Sequence, residues 1–480
     1  MRALIHRSKL SVVPPDRRVP AAAVMALLDE LLERPTDGGM AEWFLAKCGQ
    51  DVRYVAERKQ WALWDGRRWM LDAACTINER VKEAVHAIID LIPRETSQEK
   101  QAKMLALGHR YDNIERIRKV LAYAQTDQRI LSSIEQYDTD PWLLNCANGT
   151  VDLRDGRLLA PLREHMVTKI IEVVYEPDAV SPTWTAFLER IFRLHPEVVP
   201  FLQRAVGYSL TGSTREHKFW ILHGAGRNGK STFVETIRRM LGEYAQASVA
   251  ETWLRQQGGR GADPEIARLP GVRAVTTAEI GEGRTLDEAR VKGVVAGDAI
   301  STRSLYEKTF DFVPQCKLWI STNHAPQIRG NDDGMWRRVC LVPFDETITW
   351  DEMDRDLPAK LDAEREGILA WAVRGCLDWQ RIGLDEPEVV RAKTDEYRTD
   401  QDIVGQFLDD ECALDPDARE PGSAIFARYA EWARARGERN PLNATMFGRR
   451  LTDRGIVKAK VGGVAFRQGI RLNPDAVEDR

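Results

Sequence analysis

The stretch HGAGRNGKSTF, residues 223–233, sets Gly224, Gly229, Lys230 and Ser231 at the spacing G-x-x-x-x-G-K-[ST]. The chemistry of such a loop is anion binding. Glycines tolerate positive φ and let backbone N–H groups approach a ligand closely. A loop that opens straight into a helix aims those N–H groups, with the helix dipole, at a phosphate. Lys230 would then reach the β- and γ-phosphates, and the Ser231 hydroxyl would ligate Mg²⁺. Gly224, Ala225, Gly226, Arg227, Asn228, Gly229, Lys230, Ser231 and Thr232 are the candidate cradle for a nucleoside triphosphate.

Three later stretches supply groups that such a site needs. RLPGVRAVTTAEIGEG (268–283) places an apolar strand, about 272–278, directly before Glu279. An acid at that strand end orients Mg²⁺ or the attacking water; Glu279 is the first candidate and Glu282 the second. PQCKLWISTNHAP (314–326) is a further strand, 317–321, ending in Thr322-Asn323. The Asn323 amide can bond a γ-phosphate or position water. GNDDGMWRRVCLVPF (330–344) offers Arg337 and Arg338 before another strand. Either guanidinium could reach a γ-phosphate held by a neighbouring copy, which implies a ring or filament.

The elements that must position these groups are legible around them. FWIL (219–222) reads as a short buried strand, and Phe233, Ile237 and Leu241 recur at helical spacing after the loop. Upstream, residues 23–48 carry a helical pattern, and residues 76–135 are mostly helical and charged. Asp65-Gly66 and Asp155-Gly156 each mark a hairpin. Trp64 and Trp69 fall on one face of the first. SPTWTAFLERIF (181–192) reads as a helix capped by Ser181 or Thr183. Residues 365–400 are helical again, and ALDPDAREPGS (413–423) reads as a linker.

Length and composition set the limits. The 480 residues suffice for about three domains. No run of about 18 apolar residues would cross a membrane. The first 20 residues lack a long apolar segment and read as a flexible lead-in. The seven cysteines are scattered without a C-x-x-C pair, which argues against a zinc ribbon or disulfide framework and suits a reducing compartment. The eight histidines form no ligand set. A formal net charge of −4 excludes a globally basic nucleic-acid binder, so contacts with DNA require local patches.

One patch is C-terminal. AIFARYAEWARARGE (424–438) and NATMFGRRLTDRGI (443–456) read as two helices, the second capped by Asn443 or Thr445. VKAKVGGVAFRQGIRL (457–472) reads as a hairpin. Helix, helix and basic hairpin suggest a winged helix. Residues 423–472 hold eleven Lys/Arg against three Asp/Glu. Arg449, Arg450, Arg454, Lys458 and Lys460 are the candidate phosphate contacts.

The order of these motifs, with 93 positions between Lys230 and Asn323, resembles a superfamily 3 helicase. More narrowly, residues from about 120 to 475 resemble the helicase part of phage and plasmid primase–helicases, which are related to the poxvirus primase–helicase. The matching text is DPWLLNCANGTVDLRDGRL, YEPDA, PTWTAFLERIF, GAGRNGKSTF, AGDAISTRSLYEKTFDFVP, KLWISTNHAPQIRGNDDGMWRR and LVPF; RYVAERKQWALWDGRRW resembles the start of that module. The resemblance implies that Lys230 and Ser231 are the Walker A pair, Glu279 the Walker B acid and Mg²⁺ ligand, Asn323 the sensor, and Arg337 or Arg338 the arginine finger. Adjacent acids are usual at the Walker B position, whereas Ile280 follows Glu279 here, so Glu282 stays open as the base. Related helicases also carry a hairpin pointing into the ring channel. Residues 300–312 match it, with Arg303, Tyr306 and Lys308 as candidate DNA contacts.

The expected fold is α/β: an AAA+-like P-loop superfamily 3 helicase core with a mostly helical N-terminal region and a C-terminal winged helix. The expected divisions are 1–20, a collar-like region at 21–180, the ATPase core at 181–350, a helical extension at 351–412, and linker plus winged helix at 413–480. The resemblance implies an ATP- and Mg²⁺-dependent DNA helicase, a homo-hexamer translocating on single-stranded or forked DNA in replication of a phage, prophage or plasmid. It would work in the cytoplasm of a bacterial host, beside a separate primase or polymerase and without a membrane. The alternatives are a primase–helicase with residual priming activity and an origin-binding initiator ATPase without processive unwinding.

Overall fold

A computed structural model describes residues 20–256, 263–277, 279–303, 309–330, 333–438, 441–461 and 464–473. The chain starts with helices α1 (Ala21–Glu33) and α2 (Asp37–Cys48), then strands β1 (Val52–Val55), β2 (Gln60–Trp64) and β3 (Trp69–Leu71). Helices α3 (Ile77–Ile89), α4 (Gln98–Tyr111) and α5 (Ile114–Ala124) and strand β4 (Leu131–Ser132) complete this unit. Its sheet has the order β3-β2-β1-β4. Asp65 makes the turn by accepting the N–H groups of Arg67 and Arg68 at 2.7 and 2.8 Å. Trp64 and Trp69 pair across the hairpin with ring centroids 5.8 Å apart. The helices close on a separate core around Trp43, Phe44, Val81, Tyr111 and Val120.

Strands β5 (Leu143–Cys146), β6 (Gly149–Asp152) and β7 (Arg157–Leu159) form an antiparallel meander. Leu144, Cys146, Val151 and Leu153 face the same core as helices α6 (Pro182–Ile191) and α7 (Val198–Leu210). That core therefore crosses the division expected at 180/181. It also crosses the one at 350/351, because Leu361, Ile368, Trp371, Trp379 and Val390 share it. Those residues come from α12 (Leu357–Ala363), α13 (Arg365–Ile382) and α14 (Glu388–Asp400). The sequence divisions follow turn residues, whereas the core follows which apolar faces meet. The start of α6 carries a related difference. Ser181 occupies the cap position without a side-chain bond, and Glu364 accepts the Thr183 and Trp184 N–H groups at 3.0 and 3.1 Å.

The central sheet comprises β8 (Phe219–His223), β9 (Ala245–Ser248), β10 (Ala274–Thr277), β13 (Lys317–Thr322) and β14 (Val339–Pro343), in the order β14-β8-β13-β10-β9. Every pairing is parallel. Strands β8, β13 and β14 are mostly buried apolar runs, as a parallel sheet covered on both faces requires. Strand β10 ends in two buried threonines, and the edge strand β9 (AQAS) alternates. Trp220 and Trp319 are register partners whose rings stack at 4.4 Å, fixing β8 against β13. Helix α8 (Lys230–Leu241) runs from β8 back over this sheet, with Phe233, Ile237, Met240 and Leu241 inward. Short helices α9 (Pro264–Ala267) and α10 (Glu288–Ala296), hairpin strands β11 (Ile300–Thr302) and β12 (Phe310–Phe312), and α11 (Asp333–Trp336) lie in the connections.

After α14 come α15 (Ile403–Glu411), β15 (Cys412–Ala413), β16 (Arg419–Pro421), α16 (Gly422–Ala435), α17 (Ala444–Asp453), β17 (Lys458–Val461), β18 (Val464–Gln468) and β19 (Arg471–Leu472). Three helices thus precede a hairpin, β17–β18, to which β16 adds a third strand. Asn443 caps α17 by accepting the Met446 N–H at 2.9 Å. Residues 413–423, read as a linker, contain β16 and contribute to this sheet. No described helix is long and apolar enough to cross a membrane.

Helices α7 and α13 cross at two glycines. A Cβ on Gly207 would lie 2.1 Å from the Cys376 nitrogen, and one on Gly375 2.1 Å from the Gln203 carbonyl oxygen. Backbone cannot yield cheaply at such distances, and overpacking of this kind costs about 1–3 kcal/mol. Gly375→Ala is therefore expected to lower the denaturant midpoint, whereas Gly383→Ala, at a helix end with nothing within 4 Å, tests only the strain of its positive φ. Equal midpoints for wild type and Gly375→Ala would contradict this packing.

Candidate functional site

The carboxyl ends of β8, β10 and β13 open on one side of the parallel sheet, the side where ligands of such sheets bind. The loop after β8 carries positive φ at Gly226 (100°), Arg227 (47°) and Gly229 (84°). These turns curl the backbone into a cup and set Gly229 as the residue before α8. Gly224 is held too close for any side chain: a Cβ there would meet Asn228 Nδ2 and the Phe344 carbonyl oxygen at 2.4 Å. Asn228 is buried, and its Nδ2 donates to the Phe344 carbonyl at 3.0 Å, tying the cup to the end of β14.

Lys230 is 5% exposed, and its ammonium is folded into the cup. Nζ donates to the Gly224 carbonyl at 2.6 Å, Asn228 Oδ1 at 3.0 Å and Asn323 Oδ1 at 3.0 Å. Asn323 in turn donates through Nδ2 to Glu279 Oε1. Lys230, the Asn323 amide and the Glu279 carboxylate therefore form one chain of charge-assisted bonds. Burial pulls the Lys230 ammonium below its ordinary value, and the Glu279 charge opposes that pull. A cation in this setting is favoured by any anion that enters the cup.

The neighbouring residues explain the alignment. Ile280 is fully buried, which turns the adjacent Glu279 outward. The Thr322 hydroxyl lies 2.7 Å from the His324 carbonyl and 3.3 Å from the Ile280 carbonyl. It thus pins the end of β13 to the end of β10 and fixes where Asn323 points. Sequence reading passed over Thr322; its only signal was a hydroxyl at the end of an apolar strand. Ser231 and Glu279 are both exposed at the mouth of the cup, and Glu282 lies in an exposed turn three residues on. The structure brings Glu279, not Glu282, into the bond chain.

The two arginines separate. Arg338 is 9% exposed and donates to the Gly334 carbonyl in its own chain. Arg337, after α11, is exposed. On the hairpin, Arg303 is exposed at the end of β11, while Tyr306 and Lys308 lie outside the described residues. In the C-terminal unit, Arg449, Lys458 and Lys460 are exposed and Arg450 is half-buried. Arg454 pairs with Asp402 and also donates to the Arg450 carbonyl at 3.2 Å. Arg467 is buried and braces Thr452 Oγ1 at 2.7 Å and the Ile456 carbonyl at 3.0 Å.

Residues 41–193 match the protein family described as D5 N terminal like, and residues 222–338 match a family of unknown function, DUF5906. The chain is 26% identical over 300 residues to an Acanthamoeba polyphaga mimivirus protein named "Putative helicase", covering 58% of this chain and 31% of that one. It is 28% identical over 237 residues to a "Putative helicase" of Frog virus 3, covering 45% and 24%. A "Putative primase" of African swine fever virus is 21% identical over 342 residues, covering 65% and 35%. The chain thus spans about a third or less of the length of these relatives. Among solved structures, the A form apo structure of the NrS-1 C-terminal region aligns with a TM-score of 0.51 at 13% identity, over 88% of this chain and 98% of that one. A second apo structure of that region gives 0.50.

His223 ends β8 beside the cup, and burial, then the Lys230 charge, depress its pKa from 6.5. The unfolded chain therefore takes up a proton below about pH 6.5 that the folded site resists, so stability present above 6.5 is lost as pH falls through the folded value. His223 is expected to titrate below 6.5 by NMR, and His223→Gln to flatten the acid-side fall in thermal stability. A His223 resonance titrating at or above 6.5 would contradict the geometry.

Proposed function

We propose that this chain, whose residues 41–193 and 222–338 match the D5 N terminal like and DUF5906 families, is a primase–helicase relative that acts as an ATP-hydrolysing DNA helicase, working as a ring of copies on single-stranded DNA. The observation that carries the reading is the bond chain from Lys230 through Asn323 to Glu279 beneath the glycine cup. A buried ammonium ringed by neutral oxygens is arranged to exchange those oxygens for phosphate. Asn323, bonded to both Lys230 and Glu279, would report which partner the lysine holds.

The residues present fit Mg²⁺. The Ser231 hydroxyl and the Glu279 carboxylate are hard oxygen donors at the mouth of the cup. No group of three or more His, Cys, Asp or Glu that could hold a metal occurs among the described residues. That suits an ion held by one or two protein oxygens together with waters and phosphate. When bound, Mg²⁺ would neutralise phosphate charge. Lys230 and the backbone N–H groups of 226–231 would hold the β- and γ-phosphates, and Glu279 would orient the attacking water.

In a ring, Arg337 of one copy would face the phosphate of the next, a role its exposure permits. Arg338 would hold the local backbone through Gly334. The β11–β12 hairpin, with Arg303 just past the end of β11, would contact the DNA strand. The three helices and hairpin after α14 would act as a winged helix, with Arg449, Lys458 and Lys460 toward phosphates.

Lys230→Ala is expected to abolish ATP hydrolysis and strand unwinding while leaving the thermal transition in place. Arg337→Ala is expected to be inactive alone, since losing such an arginine costs about 10³–10⁵ in turnover. Mixed with Lys230→Ala, it should regain turnover, because mixed rings contain interfaces with both residues intact. Arg338→Ala should lose thermal stability and gain nothing on mixing. Unwinding by Lys230→Ala at the parental rate would refute the site, and failure of the Arg337 mixture would refute its use across an interface.

A further inference from the structure

An exposed tryptophan stands beside the phosphate loop on a segment that is otherwise tightly held. Trp350 is 72% exposed. The segment leading to it leaves β14 along the loop: Phe344 N–H donates to the His223 carbonyl at 2.8 Å, and Ile348 N–H to the Arg227 carbonyl at 2.7 Å. Arg190 clamps the same segment from α6, bonding Glu346 at 2.9 Å, the Thr347 carbonyl at 3.1 Å and Glu352 at 2.7 Å. Glu352 also accepts the Thr349 N–H at 3.1 Å. The backbone on both sides of Trp350 is thus fixed, yet its indole is left to solvent.

What fixes the indole is the loop itself. The Arg227 guanidinium lies 5.0 Å from the Trp350 ring, and Arg227 is the loop's non-glycine residue in the left-handed region, at φ 47°. The loop thus takes up an uncommon backbone conformation at the residue whose side chain meets the indole. A flat aromatic face and a planar cation, adjoining a cup for phosphates, match the remaining part of a nucleotide: its base. Purines and pyrimidines stack on aromatic faces and on guanidinium planes, and stacking is tolerant of base identity because every base has a π-face.

We propose that Trp350 and Arg227 form the platform that stacks the base of the nucleotide whose phosphates the loop holds. This rests on the reading of the loop as a nucleotide site and adds a part to it. The platform carries no hydrogen-bond readout of the base edge, so it selects for a nucleotide over bare polyphosphate rather than for adenine over guanine.

The test is equilibrium binding of ADP, GDP and inorganic tripolyphosphate, each with Mg²⁺, to the full chain and to Trp350→Ala and Trp350→Phe. Trp350→Ala is expected to weaken ADP and GDP alike by about tenfold or more. It should leave tripolyphosphate binding unchanged, and Trp350→Phe should restore most of the loss. The proposal is overturned if Trp350→Ala binds ADP like the parent, if ADP and tripolyphosphate weaken together, or if phenylalanine does not rescue. It is overturned equally if Trp350→Ala changes only self-association, the sign of an indole that packs on a second copy. A parent chain that binds tripolyphosphate and not ADP rejects the platform alone, whereas one that binds neither rejects the loop site itself.

Discussion

A buried ammonium must be given oxygens, and the site follows from how that need is met. Leaving a charge of this kind without partners in a protein interior costs several kcal/mol. Lys230 meets the requirement with one carbonyl and two amide oxygens, none of which carries a charge. The carboxylate that could have paired with it, Glu279, is instead reached through Asn323. A direct Lys–Glu pair would be self-contained and would compete with an incoming anion. Neutral oxygens satisfy the ammonium without cancelling its charge, so the cup stays attractive to phosphate.

The same arrangement explains why so much of the fold converges on one edge of the sheet. Asn323 can stand between Lys230 and Glu279 only if β8, β10 and β13 end at a common level. The parallel register secures this: Thr277 aligns with Ile320, and Thr322 with His223. The stacked Trp220–Trp319 pair and the Thr322 tie to Ile280 hold that register on each side. On the outer edge, β14 delivers Phe344 to Asn228 and Ile348 to Arg227, so the cup is fastened to the strand that follows the two arginines.

The sequence was most legible where chemistry is local. The G-x-x-x-x-G-K-S loop, the strand before it, the Asp-Gly turns and the cap at Asn443 each depend on neighbours within a few positions, and each was readable as such. Glu279 and Asn323 were identifiable as strand-end residues, but their mutual bond was not, because it spans 44 positions and depends on sheet order. The large core was illegible for a similar reason. Leu144, Trp184 and Trp379 meet only because the β5–β7 meander, α6 and α13 fold onto one another, and no turn signal marks that meeting. Glu364 capping α6 from 181 positions away shows the limit at the scale of one residue. The sequence offered Ser181, and the fold used a distant carboxylate that reaches two N–H groups at once.

Charge was the property that sequence windows represented least well. Residues 423–472 hold a formal excess of eight positive charges, yet several of those charges face acids outside the window. Arg428 pairs with Glu411, Arg436 with Asp410, Arg454 with Asp402 and Arg471 with Asp415. Arg467 is consumed in bracing the turn between α17 and the hairpin. The acids lie on or beside α15, which packs under α16 and α17, so the excess is partly an artefact of cutting the chain between a helix and its partners. The charges left facing solvent include Arg449 on α17 and Lys458 and Lys460 on β17. The electrostatic attraction this unit offers a phosphate backbone is correspondingly smaller than the count suggests, and it is concentrated on one helix and one strand. Binding there would depend on the register between that strand and the phosphates rather than on bulk charge, and its salt dependence would reflect a few contacts, not eight.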